Sequence, residues 1–173
     1  MKMKIAPFII CISASAFCSA TLFAADAHTP VMNDQQFIQI AAQTDMLEAH
    51  AAQMAVKHAS RKGVKDFGAS ANLDDTTNYQ SLCSIADNLG LSVPKGIDAQ
   101  GNKVVSELTK AKSGHQFDRR FVSQEVKTDQ QAVTAYEHEA QSGQSPALKA
   151  FASKQLPTVK LHLYEAQDLA NAS

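Results

Sequence analysis

Tryptophan is missing from this chain, and tyrosine and cysteine each occur only three times in 173 residues. The aromatic platforms that stack on sugars or anchor interfaces are therefore largely lacking. Basic runs are lacking too. Lys and Arg are interspersed with a near-equal number of acids, for a formal net charge of −1. Nothing in that pattern tracks a phosphate backbone, which excludes nucleic acid as a partner. There is no G-x-S-x-G and no glycine-rich phosphate loop, and the serines are scattered. No catalytic residue is assigned.

Long apolar runs are also absent, except at the N-terminus. There Lys2 and Lys4 precede an uncharged stretch over residues 5–23, and Ala25-Asp26-Ala27 fits the A-x-A cleavage pattern. Ser13, Ser15, Ser19 and Thr21 dilute the stretch as a membrane anchor. The expectation is an export signal over 1–27, a single domain over 28–173 with no transmembrane segment, and a periplasmic or secreted location. Cys11 and Cys18 would leave with the signal. Cys83 would then have no partner for an internal disulfide and reads as a small buried apolar residue.

What the chain does have is helical periodicity. Phe37, Ile40, Thr44, Leu47, Ala51, Met54 and His58 recur at steps of three and four, after an Asn33 or Asp34 cap. Val64, Phe67, Ala71, Asp75, Asn78, Leu82, Ile85 and Leu89 form a second stripe, closed by Gly90. A third runs through Phe117, Phe121, Val122, Val126, Asp129, Val133, Tyr136 and Ala140. Leu148, Phe151, Gln155, Val159, His162, Ala166 and Leu169 make the fourth, with Ser145 as cap and Pro146 at the first helical position. Pro157 should kink it. The pattern predicts four helices over about 33–62, 64–90, 115–142 and 146–171. A short helix from Val104 to Lys112 is predicted in the long link between the second and third. Nothing alternates with period two. The fold class is all-α: two helical hairpins joined by a long crossover, the ferritin-like four-helix bundle.

The apolar seams are interrupted by polar residues at corresponding places: Glu48 beside the first, Asp74-Asp75 on the second, Asp129-Gln130 on the third and His162 on the fourth. In the stretches NDQQFIQIAAQTDMLEAH, VKDFGASANLDDTTNYQSL, FDRRFVSQEVKTDQQAV and ALKAFASKQLPTVKLHL, the chain resembles the exported bacterial domain-of-unknown-function family DUF4142, a ferritin-like group. The resemblance implies a Glu in the first helix, Asp-His pairs in the second and third, and a His in the fourth. Glu48, Asp74, Asp129 and His162 match; Asp75 and Gln130 stand where the two paired histidines would be. Inward carboxylates and imidazoles are how metal sites are built in bundles, which makes Glu48, Asp74, Asp75, Asp129 and His162 the candidate metal ligands. With one imidazole left, the expectation is a polar layer that sets helix register. No cofactor is required, and a divalent metal is bound weakly at most.

Two further patterns suit copper. Met46, His50, Met54 and His58 succeed one another at i, i+4, although the drift of that step around a helix keeps four residues from sharing one ion. His28, or Asp26-Ala27-His28, would be a chelating N-terminus after cleavage. The sequence reading is therefore an exported helical bundle that binds or assembles with an unknown protein or other partner in the cell envelope. The alternative is a metal-binding ferritin-like protein, di-metal or copper, with an oxidoreductase or storage role.

Overall fold

The computed structural model describes residues 32–172, and among them all regular structure is helical. The expected leader over 1–27 and the expected His28 chelate lie outside these residues. Five helices follow in order: α1 (Asp34–His58), α2 (Lys62–Leu89), α3 (Ala99–Lys110), α4 (His115–Ser142) and α5 (Pro146–Asn171). α1 packs along α2 and α4 along α5, and the two hairpins join into a four-helix bundle through α1–α4 and α2–α5 contacts. No described helix is long and apolar enough to cross a membrane.

Local chemistry sets most of the ends. Asn33 accepts from the Gln36 N–H at 2.9 Å, and Gln36 accepts from the Asn33 N–H at 2.9 Å, a reciprocal cap on α1. Gly90 closes α2 at φ 67°, a left-handed position that suits glycine. Ser145 caps α5 ahead of Pro146. The helix runs unbroken through Pro157.

Two boundaries depart from expectation, the first of them between α1 and α2. α1 stops at His58, short of the expected end near 62, and α2 starts at Lys62 and includes Gly63. The reason is tertiary. Asp118, on α4, accepts from the Ser60 N–H at 2.9 Å, the Ser60 hydroxyl at 2.6 Å and the Arg61 N–H at 3.0 Å. Those bonds fix the turn and satisfy donors at the start of α2, where Arg61 supplies no side-chain cap of its own. The crossover is stitched to α1 by two glutamines. Gln35 exchanges hydrogen bonds with the backbone of Ser92 at 2.8 and 3.1 Å. Gln43 bonds the Gly96 carbonyl at 3.0 Å and the Asp98 N–H at 2.8 Å. α3 begins at residue 99 rather than 104 because Asp98 caps it, accepting from the Gly101 N–H at 2.7 Å. α3 packs on α1 and α4 and so roofs that seam.

Apolar residues form two clusters. Val64, Phe67, Leu108, Phe117 and Phe121 centre one; Phe37, Ile38, Leu82, Tyr136, Leu148 and Phe151 centre the other. Full burial of each large side chain contributes about 1.5–3 kcal/mol. Along α1, α2 and α4 the polar residues fall between the two clusters. The bundle thus has an apolar plug toward each end and a polar layer at mid-height.

Candidate metal centre

Three helices build the layer, each through residues one turn apart on a single face. α1 supplies Asp45 and Glu48, α2 supplies Asp75 and Asn78, and α4 supplies Glu125 and Asp129. All six are buried. Glu48, Glu125 and Asp129 each offer one carboxylate oxygen to a common point, with these oxygens within 4.8 Å of one another. Glu48 Oε1, Glu125 Oε1, Asp129 Oδ2 and Asp75 Oδ2 have no hydrogen-bond partner. Asp45 is held by Asn78, whose Nδ2 donates to its two oxygens at 2.9 and 3.0 Å and to Tyr136 Oη at 2.6 Å.

The electrostatics follow from this crowding. Burial pushes the Asp129 carboxyl up to about 8. Burial also raises Asp45 to about 8, against the lowering effect of the Asn78 hydrogen bond. Glu48 is raised well above the usual carboxylate range, first by burial and then by Asp129, Asp75, Glu125 and Asp45. Burial and neighbouring acids likewise raise Asp75 and Glu125. No lysine or arginine among the described residues makes an ion pair with the layer. Only two things relieve such a group of acids: protons, or a bound cation.

A cavity of about 280 Å³ adjoins the triad, with Glu48 and Asp129 in its wall together with Asp45, Asp75 and Tyr136. Asp74 and His162 also line it. His162 is not part of the triad. Its Nε2 lies 3.1 Å from Asp74 Oδ2 and its Nδ1 3.8 Å from Asp75 Oδ1, so both ring nitrogens face carboxylates of α2. The ring edge packs on Phe67, with centroids 6.0 Å apart.

Of the five residues singled out in the sequence, Glu48 and Asp129 therefore meet in the triad. Asp75 lies beside them in the cavity, and Asp74 and His162 pair at its wall. Glu125 and Asp45 escaped that reading. The available signal was their spacing, four residues before Asp129 and three before Glu48. Gln130 is exposed, so a histidine there would lie outside the layer. The Met/His stripe does not converge: Met46 packs in one apolar cluster and Met54 in the other. His50 is exposed, and His58 Nδ1 sits 3.2 Å from Ser113 Oγ. Cys83 is half-buried rather than buried. Glu139, also unremarked in the sequence, is buried over Gly143, where an added Cβ would collide with its carboxylate.

Comparison with known proteins agrees with this architecture. A solved structure, CopM in the Cu(II)-bound form, superposes with a TM-score of 0.68 at 16% sequence identity, covering 81% of this chain and 97% of that one. At that identity the likeness is one of fold. No curated protein sequence matches the chain. The model of the family described as "Domain of unknown function (DUF4142)" matches residues 19–169. The chain belongs to the DUF4142 family.

Proposed function

We propose that this protein is a metal-binding helical bundle that seats a divalent cation on Glu48, Glu125 and Asp129. The observation that carries the reading is the convergence of three buried carboxylates, each with an unpartnered oxygen. A cation at their common point would replace the protons that the layer otherwise needs. The ligands are all oxygen, which suits hard ions such as Mn²⁺, Mg²⁺ or Ca²⁺. Cu(II) heads the affinity order for most mixed donor sets. The fold likeness to CopM, solved in its Cu(II)-bound form, makes that ion the natural competitor. This reading replaces the purely structural polar layer expected from the sequence. The role it favours is sequestration or storage, in the compartment outside the cytosol to which the N-terminal leader points.

Calorimetric titration of the purified, chelator-treated protein with Mn²⁺, and separately with Cu²⁺, tests it. Saturable binding in the wild type that Glu125→Gln and Asp129→Asn weaken at least tenfold is the expected result. Tenfold corresponds to about 1.4 kcal/mol, less than truncating a charged ligand usually costs. Wild-type affinity in both variants would place the ion elsewhere and sink the proposal. Intact mass of protein taken from the envelope fraction should show a start between Asp26 and His28; retention of residues 1–20 would contradict the leader.

A further inference from the structure

We infer that cations reach the triad through the seam between α2 and α5, and that Asp74 is the residue that captures them at its mouth. The inference rests on the metal-binding reading above and adds a route and a residue to it. The cavity spans the distance that a cation must cover. Asp74 stands at its outer side with its side chain 42% exposed, and Asp75, behind it, is 7% exposed. Glu48 and Asp129, in the inner wall, belong to the buried triad itself. The acids thus form a series of falling exposure, from solvent to the seat. Asp75 contributes a buried oxygen without a partner partway along it. No lysine or arginine lines this cavity.

Three other approaches are obstructed. Both ends of the bundle are plugged by the aromatic clusters described above. The α1–α4 seam is roofed by α3, whose Val104 and Leu108 are buried beneath it. A depression on that side contains Lys127, whose charge opposes a cation. Its one acid, Asp98, is engaged in capping α3 at 2.7 Å from the Gly101 N–H.

Charge at a narrow mouth acts mainly on rate. A cleft lined by one sign of charge concentrates counter-ions and speeds their arrival. His162 is a positioning residue in this scheme. Anchored against Phe67, it holds the Asp74 carboxylate across the opening, at 3.1 Å. Residues that shape a path rather than a seat change arrival and departure together. The equilibrium affinity then stays nearly constant.

Mn²⁺ is the probe, used with the full mature chain. Stopped-flow release into excess fluorescent chelator gives the off-rate, equilibrium titration gives Kd, and the two together give the on-rate. Asp74→Asn should slow association by about threefold or more at low ionic strength, with the difference shrinking toward about 0.15 M salt, while Kd moves by less than about twofold. Thr77→Trp, at the mouth, should slow association and release alike. Gln131→Trp, on the α3 side, should change neither. Because Asp74 and Gln131 are not core residues, these variants remain informative even if Thr77→Trp folds poorly.

A Kd weakened tenfold by Asp74→Asn would make Asp74 a ligand and overturn the assignment. So would wild-type uptake rates in both mouth variants, or slowed uptake in Gln131→Trp. In each of these cases the triad still binds Mn²⁺. A wild-type chain that binds no Mn²⁺ would overturn the metal-binding reading itself.

Discussion

At the scale of single residues, the layer has a definite thermodynamic sign. Asp45 and Asp129 hold their protons up to about 8 in the folded chain, whereas unfolded carboxyls release theirs near pH 4. Between those values the native state binds more protons than the unfolded one. Stability contributed below the unfolded value is therefore lost as pH rises toward the folded value. Glu139, raised to about 7 by burial and then by Asp34, acts in the same direction. Asp118 acts oppositely. Burial would raise it, but hydrogen bonds from Ser60 and Arg61 and the nearby guanidinium hold it below the usual range. Its contribution is lost only in acid, below about pH 4. Melting curves of the chelated protein should thus show a falling Tm from pH 5 to pH 9, by several degrees, at about 2–4 °C per kcal/mol for a domain of this size. Glu125→Gln should flatten the trend and raise Tm at pH 8. A Tm that is flat or rises over this range would mean that the acids are not buried as described. Such behaviour is invisible in a linear reading. The stripe pattern gave Asp75 and Asp129, but the cost of a carboxylate depends on which others it meets.

At the scale of helices, α1 and α2 approach closely because their facing residues are small. Ala51, Ala52 and Ala55 are fully buried on α1, and Gly68 faces them from α2. A Cβ at Gly68 would stand 2.9 Å from Ala55 Cβ and 3.0 Å from the Ala52 carbonyl oxygen. Gly68→Ala should therefore destabilise the protein by about 1–3 kcal/mol through overpacking. That is expected despite the gain of about 1 kcal/mol that alanine brings to a helix interior. Denaturant unfolding measures it; a neutral or stabilising result would show that the hairpin parts easily. Two members of the first stripe, Ile40 and His58, are exposed rather than on the seam. Ile40 was placed on the seam and is 39% exposed, while Ile38, Ala41 and Ala42 are buried. Caps written in adjacent residues, such as Asn33 or Asp34 ahead of α1 and Ser145 with Pro146 ahead of α5, are legible in the sequence. The α1–α2 turn was not, because the residue that fixes it is Asp118, on another hairpin.

At the scale of the whole molecule, periodicity is a local property, and it was enough to give four helices, two hairpins and the crossover. A ligand set is a non-local property. Glu48 and Asp129 could be named from interrupted seams, but their convergence with Glu125 exists only once α1 meets α4. Belonging to the DUF4142 family, and sharing a fold with CopM, fixes the scaffold and leaves the occupant to chemistry. The most direct measurement is an anomalous difference map from crystals of the mature protein equilibrated with Mn²⁺. A peak is expected between Glu48, Glu125 and Asp129, within about 2.0–2.6 Å of one oxygen from each, the range for hard divalent ions on carboxylates. A peak only at exposed residues such as His50 or Asp74, or no peak in the bundle interior at saturating Mn²⁺, would contradict a metal seat in the buried layer.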